Sequence, residues 1–278
     1  MRKLGLIAGS GALPIALARH CREAGRPLFV IRLKGFADPA LATYDGVSSG
    51  LAELGRGISA LRTAGCQAVC MAGGVGRPDF AALKPDWRGL KALPGAMAAA
   101  RRGDDALLRF LVGEFESEGF AVEGAHEVMA GLTLPSGPLG ARSPTADVEL
   151  DIDRALAAAR AIGALDAGQA AVSCRGLILA LEAQEGTDAM LARVAALPEA
   201  LRGHPRGRCG VLAKAAKPVQ ELRVDLPVIG PATVQAAAQA GLVGIVGEAG
   251  RLLVLERDAT RGLADALGLF ILGVSEST

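Results

Sequence analysis

Aromatic residues are almost missing from this 278-residue chain: they make up 3% of it, with one tryptophan and one tyrosine. Any core must therefore be built from Ala, Leu, Val and Ile, and a hydrophobic fraction of 51% with a mean hydropathy of +0.34 is ample for that. The length allows one large domain or two of ordinary size. Charge of one sign is also lacking, since the formal net charge is +1. Nothing in that balance marks a nucleic-acid binder with a broad basic face. Cysteines are few: Cys21, Cys66, Cys70, Cys174 and Cys209 are an odd set without a C-x-x-C pair. They read as buried thiols in a reducing compartment and not as a disulfide framework or a metal knuckle. No run approaches the roughly 18 apolar residues that a membrane span needs. The stretch "LGLIAGSG" after Met1-Arg2-Lys3 is too short for a signal segment and reads as a first strand. The chain is expected to be soluble and cytoplasmic, yet able to touch a membrane surface. His20, His126 and His204 are scattered without metal spacing, and G-x-S-x-G, Walker A and H-E-x-x-H motifs are missing. Nucleophilic serine or cysteine catalysis therefore finds no support. Lysine is scarce too, limited to Lys3, Lys34, Lys84, Lys91, Lys214 and Lys217.

What is present organises the chain in two halves. Residues 3–8, 26–33 ("RPLFVIRL") and 66–75 ("CQAVCMAGGV") read as buried strands, separated by helices up to about Ala24 and over 55–65. Helices near 88–100 and 103–119 follow, then a strand near 120–128. Strands alternating with helices predict a doubly wound parallel sheet, so residues 1–133 are expected to form a Rossmann-like domain. "LPSGPLGARSPTAD" (134–147) is rich in Pro, Gly and Ser and reads as a linker. Residues 148–278 are expected to form a separate α+β catalytic domain. Its helices are predicted over 147–169, 187–197, 231–241 and 258–268. Two hairpins are predicted, "QAAVSCRGLILALEA" turning at Arg175-Gly176 and "LVGIVGEAGRLLVLE" turning at Gly250-Arg251.

Several stretches carry residues suited to chemistry. "AGSGALP" (8–14) puts Gly9, Ser10 and Gly11 between a strand and a helix, where bare backbone can approach a phosphate. Pro14 replaces the third glycine of G-x-G-x-x-G, and Arg32 and Lys34 stand where a ribose-binding acid is expected, which disfavours a dinucleotide site. A tight turn alone explains the same residues. "AGGVGRP" (72–78) ends the third strand at the neighbouring edge, where Gly73 and Gly74 either admit a nucleotide or sugar or simply permit a sharp exit. In "RRGDDALLRF" the acids Asp104 and Asp105 cap a helix, with Asp104 also open to a metal-side role. In "EAQEGTDAML" Thr187 and Asp188 start a helix, either as cap residues or as hydroxyl and carboxylate for a polar ligand.

The densest stretch is "KAAKPVQELRVDLPVIGPATV" (214–234). Lys214, Lys217 and Arg223 suit phosphate neutralisation, and Asp225 suits activation of a water or attachment of a divalent metal. Val224 and Leu226 flank Asp225 with the alternation of a strand. The prolines and Gly230 around them suggest a fixed geometry. A solvated charged edge is the plainer account of the same charges.

In order and combination, "GLIAGSGALP", "GGVGRP", "GDDALLR", "DAGQAAV", "EGTDAM" and the 214–234 stretch resemble the UDP-2,3-diacylglucosamine pyrophosphatases of lipid A biosynthesis, the type unrelated to calcineurin-like phosphoesterases. The resemblance covers essentially the whole chain, with Glu221 and Val228 departing from the commoner Asp and Thr. It implies hydrolysis of UDP-2,3-diacylglucosamine to UMP and 2,3-diacylglucosamine 1-phosphate (lipid X), attack at the sugar-side phosphorus, and a divalent cation, usually Mg2+. It also implies two domains holding the lipid product between them. On matching positions Asp225 becomes the catalytic acid and metal ligand, and Lys214 and Lys217 serve the phosphates. Gln220, Thr187, Asp188 and Thr233 line the substrate site, with Gly9, Ser10, Gly11, Gly73 and Gly74 on the first-domain side and Asp104 beside them. The expected partners are substrate and product, peripheral contact with the inner membrane, and a second copy as a homodimer, without nucleic acid. Two other functions stay open at this point: a non-catalytic binder of nucleotide-sugars or lipid phosphates, and an NAD(P)-dependent oxidoreductase.

Overall fold

Leu4, Leu6 and Ala8, which share one face of the first strand, are completely shielded from water, with Gly5 buried on the other face. The computed structural model describes residues 1–76, 82–204, 206–218 and 221–275. The chain divides into two units, one of residues 1–130 with 221–225, the other of residues 131–220 with 226–278.

The first unit runs β1 (Leu4–Ala8), α1 (Ala12–Glu23), β2 (Leu28–Leu33), β3 (Gly46–Ser49), α2 (Leu54–Thr63), β4 (Ala68–Ala72), α3 (Trp87–Ala100), α4 (Asp104–Ser117), β5 (Ala121–Val122) and α5 (Ala125–Val128). Its five strands pair in the order β3-β2-β1-β4-β5, and every pairing is parallel. The expected α/β fold with a parallel sheet is therefore present. The connections run one way from β1 through β2 to β3 and the other way through β4 to β5, so the order reverses between β1 and β4. Phe29, Ile31, Ile58, Leu61, Val69, Val112, Phe115 and Phe120 form the core beside this sheet, and Val224 packs against it. That contact draws 221–225 into the first unit. The strand predicted over 120–128 is short: β5 ends at Val122, and the side chain of Glu127 accepts from the Gly124 backbone at 2.6 Å to start α5 instead.

The second unit contains β6 (Gly137–Pro138), α6 (Glu149–Ala164), β7 (Ala170–Cys174), β8 (Leu177–Leu181), α7 (Gly186–Ala195), β9 (Val211–Lys214), β10 (Val228–Ile229), α8 (Pro231–Gln239), β11 (Gly244–Glu248), β12 (Leu253–Val254), α9 (Arg257–Leu267) and β13 (Phe270–Val274). Six strands form a mixed sheet, β6-β13-β11-β9-β7-β8, in which β13, β11 and β9 are parallel. The β7–β8 hairpin is antiparallel, as predicted. Its turn is held by Asp151, a 3% exposed acid of the first turn of α6. That carboxylate accepts from Ser173 Oγ at 2.6 Å, Arg175 N at 2.8 Å and Gly176 N at 2.7 Å. The second predicted hairpin does not form. β11 lies between β9 and β13, both its edges are taken by parallel neighbours, and β12 pairs with β10. Met190, Leu191, Leu212, Ile229, Val234, Leu242 and Ile245 form a nearly dry core with the helices.

Candidate active site

In the second unit, the carboxyl ends of β9 and β11 lie side by side, with Lys214 opposite Gly247 in register. That edge of an open sheet is where ligands commonly sit. Lys214 closes β9 and is only 5% exposed. A buried ammonium is costly unless it is matched. Its Nζ donates to Thr187 Oγ1 at 2.9 Å and to the Val228 carbonyl at 3.1 Å. Thr187 Oγ1 in turn donates to Glu182 Oε1 at 2.7 Å, and Glu182 Oε2 accepts from Gln169 N at 3.0 Å. A hydroxyl thus bridges a buried cation and a 7% exposed carboxylate. Thr187 is not the cap of α7, a place held by Glu185 without a side-chain cap bond, so its hydroxyl is committed to this network. Asp188 is exposed in the first turn of α7, where a carboxylate favours the helix dipole.

Val228 begins β10, and α8 starts three residues later with Pro231 in its first turn. Thr233, half-buried, accepts from Gly230 N at 3.4 Å and closes that helix start. Lys214 therefore joins the start of α7 to β10, the strand that leads into α8, through one ammonium group. Lys217 lies three residues on, and its Nζ meets Asp166 Oδ1 at 2.6 Å. Between the two lysines Ala216 N donates to Glu248 Oε2 at 3.2 Å, and Glu248, 4% exposed, also binds Arg160 Nε at 2.8 Å. Glu182, Glu248 and Asp166 were missed in the sequence. For Glu182 and Glu248 the available signal was a carboxylate at the end of an apolar strand, as in "ALEA" and "IVGEA".

Asp225 belongs to the first unit and differs from its expected setting. Residues 222–224 are a turn, and β10 begins only at Val228. Val224 N and Asp225 N both bond to the Glu221 carbonyl, at 3.0 and 3.2 Å. The strand-like alternation has another cause: Val224 packs into the core of the first unit, and Leu226 is buried in the second. Asp225 is half-buried. The turn is braced from two sides. Glu221 N donates to Asp105 Oδ1 at 2.7 Å, and Asp105 Oδ2 accepts from Arg109 Nε at 2.8 Å. Arg223 reaches Glu221 Oε1 at 2.9 Å and Glu116 Oε1 at 2.7 Å. The hydrogen bond from Arg223 lowers the Glu221 pKa, and Glu221 with Glu116 raises that of Arg223. Arg223 thus acts as a clamp for the turn. Of the paired acids at the start of α4, Asp105 is buried in this bracing and Asp104 is exposed. Gln220 lies outside the described residues.

The glycine loops of the first unit meet at the point where the strand order reverses. Ser10 N donates to the Gly74 carbonyl at 2.8 Å and Gly74 N to the Ser10 carbonyl at 2.9 Å. Ser10 Oγ adds a bond to the same Gly74 carbonyl at 2.8 Å. A Cβ on Gly9 would stand 2.6 Å from the Gly74 carbonyl oxygen, and one on Gly73 only 2.5 Å from that of Ser10. Both glycines are thus required by the approach of the loops to each other. Gly11, at φ +93°, precedes α1 and faces open space.

For a metal, the donor chemistry decides. Among the described residues no group of three or more His, Cys, Asp or Glu could hold an ion by itself. Magnesium keeps most of its waters and is commonly bound by one or two carboxylates together with substrate phosphates, whereas structural zinc needs four protein ligands. A single hard carboxylate such as Asp225 fits the first pattern.

Comparison with known proteins matches the family described as LpxI N-terminal domain over residues 3–132 and LpxI C-terminal domain over residues 135–272. The chain is 64% identical, over 274 residues, to UDP-2,3-diacylglucosamine pyrophosphatase LpxI of Caulobacter vibrioides (strain ATCC 19089 / CIP 103742 / CB 15). The alignment covers 99% of this chain and 98% of that protein. A solved structure of CobK precorrin-6A reductase aligns with 100% of this chain and 89% of its own, at 14% identity and a TM-score of 0.33.

Proposed function

The chain belongs to the LpxI family, and we propose that, like the relative it matches from end to end, it hydrolyses the pyrophosphate of UDP-2,3-diacylglucosamine to UMP and 2,3-diacylglucosamine 1-phosphate. The observation that carries this reading is 64% identity over 99% of the chain. The buried Lys214–Thr187–Glu182 network, at the start of α7, gives it a chemical basis.

A pyrophosphate diester carries two negative charges that repel an incoming nucleophile. Lys214, with backbone N–H groups at the starts of α7 and α8, supplies fixed positive potential to those charges. Because Thr187 and Val228 already hold its ammonium in place, little reorganisation is needed when phosphate arrives. Lys217 adds a second cation by exchanging Asp166 for a phosphate oxygen. Thr233, Asp188 and Gln220 contact the polar part of the substrate. In the first unit Gly11 and Ser10 offer backbone and hydroxyl contacts, with Gly9, Gly73 and Gly74 setting the loop shape and Asp104 beside them.

Asp225 orients the attacking water and takes its proton. The water oxygen bonds to the sugar-side phosphorus, the bond from that phosphorus to the bridging oxygen breaks, and the electron pair leaves with UMP. Magnesium, held by Asp225 and substrate oxygens, would neutralise charge on the phosphates and acidify the bound water. Bracing of 221–225 through Asp105 and Arg223 keeps the carboxylate where the water is, since small displacements are costly in rate. The acyl chains place this work at a membrane surface, on the cytoplasmic side. Incubation with UDP-2,3-diacylglucosamine followed by mass spectrometry tests the reading. UMP and the lipid 1-phosphate in equal amounts support it, whereas unaltered substrate or released UDP would refute it.

A further inference from the structure

One side of α3 is packed and the other is not. On the packed side, Gly89 touches α2's leading segment closely enough that a Cβ would meet the Ala52 carbonyl, and Gly95 lies against the Phe110 ring of α4. Ala99 and Ala100 are buried there too. On the opposite side Trp87 is 72% exposed, Leu90 51% and Met97 37%, and Lys91, Pro94 and Ala98 are exposed with them. Positions 87, 90, 91, 94, 97 and 98 recur at three- and four-residue steps and so form one stripe. Lone exposed apolar residues need no explanation, but a contiguous stripe containing the only tryptophan of the chain does.

The charges within and just after α3 have one sign. Between Asp86 and Asp104 the sequence holds Arg88, Lys91, Arg101 and Arg102 and no acid. Lys91 Nζ lies 5.2 Å from the centre of the Trp87 ring, and Lys84, Arg101 and Arg102 are exposed at the two ends. The nearest acid, Asp86, is turned to structure: it accepts from Gly89 N at 2.7 Å and Arg56 N at 2.8 Å. Arg88 is matched by Glu114 and Glu118. No helix among the described residues is long and apolar enough to cross a membrane.

We propose that the outer side of α3 is a docking surface for an anionic phospholipid bilayer. Trp87, Leu90 and Met97 enter the boundary between headgroups and acyl chains, with the tryptophan at the depth such rings prefer. Lys84, Lys91, Arg101 and Arg102 meet the headgroup phosphates. The inference deepens the reading of an enzyme that works on a lipid. It is tested without that lipid, so its failure would leave the hydrolase assignment standing.

The full chain is mixed with vesicles of phosphatidylglycerol and phosphatidylethanolamine, and separately with phosphatidylcholine vesicles. Trp87 reports directly, as no other tryptophan contributes. With the anionic vesicles its emission should move to shorter wavelength, and brominated acyl chains should quench it. The Leu90→Glu/Met97→Glu variant should lower the bound fraction at least tenfold. Arg101→Gln/Arg102→Gln, at the exposed helix end, should weaken binding by about fivefold per charge, with salt doing the same to the parent protein. Circular dichroism confirms folding, and if the glutamate variant unfolds the glutamine variant decides. Unchanged Trp87 emission with anionic vesicles overturns the proposal, as does equal binding by the folded variants. A shift that grows with protein concentration in the absence of lipid would assign the face to a second copy and overturn it as well.

Discussion

Lys214→Met tests the buried network at its centre. The substitution keeps the length of the side chain and removes its charge. Thr187 Oγ1 and the Val228 carbonyl then each lose a donor that now stands at 2.9 and 3.1 Å. Glu182, 7% exposed, keeps its negative charge without the cation that Thr187 relays to it. Breaking a buried ion pair from one side costs about 3–5 kcal/mol, and the intervening hydroxyl puts this case near the lower end, at about 3 kcal/mol. For a unit of this size that is a fall of roughly 9 °C in Tm. Replacing Glu182 by Gln in the same protein should restore part of the loss, because an uncharged Lys214→Met/Glu182→Gln pair no longer buries a lone carboxylate. The double-mutant cycle should show a coupling of about 1–2 kcal/mol by denaturant unfolding. In the hydrolysis assay Lys214→Met should lower kcat/KM at least ~100-fold, since its charge acts on bound substrate and transition state alike. Additivity of the two substitutions within about 0.5 kcal/mol would refute the claim that Lys214 and Glu182 share one network.

Asp105→Ala should release the 221–225 turn from α4 and reduce kcat by about tenfold through misplacement of Asp225, with little change in KM; an unchanged kcat would show that the bracing is irrelevant to rate. The lowered pKa of Glu221 means that its contribution to stability is present above the unfolded value and lost as pH falls through the folded one. Arg223→Gln should therefore destabilise the protein at pH 7, with the difference in melting from the parent shrinking as pH falls below the ordinary carboxylate range; a difference that stays the same as pH falls would remove Glu221 from the account. Burial pushes the thiol of Cys70 up to about 12, and burial with the neighbouring Cys209 does the same for Cys174. A thiol reagent at pH 8 should thus modify Cys209, the one half-exposed cysteine, in the native protein and all five after unfolding; rapid native labelling of Cys70 would contradict the packing of β4.

The parallel sheet was legible because β1, β2 and β4 are near-continuous apolar runs, the mark of strands covered on both faces. β3 was not, since "GVSS" at the sheet edge carries no such run. The false hairpin over 242–256 has a related cause. Local sequence reports that β11 and β12 are apolar, but their partners, β9 and β13 for one and β10 for the other, are chosen by tertiary packing. In the site, the scarcity of lysine makes Lys214 and Lys217 legible as a local concentration of charge. Asp166, which pairs with Lys217, follows α6 far off in sequence, and Glu182 and Glu248, which accept from Thr187 and Ala216 N beside the lysines, look like ordinary acids at strand ends, so only the fold reveals them. Asp225 shows the opposite failure: Val224 and Leu226 alternate as a strand would, yet Val224 packs against the core of one unit and Leu226 is buried in the other.

The central claim is that Asp225 drives hydrolysis of a lipid-linked pyrophosphate. Its most direct test is turnover of UDP-2,3-diacylglucosamine in 18O-labelled water by the parent protein and by Asp225→Asn, with products and bound lipid followed by mass spectrometry. The account predicts UMP free of label, lipid 1-phosphate carrying it, and a folded Asp225→Asn variant that still binds the lipid but turns over less than about a tenth as fast, a loss of more than ~1.4 kcal/mol of barrier lowering. Absence of UMP from the parent protein, or a folded Asp225→Asn variant with turnover close to normal, would contradict it.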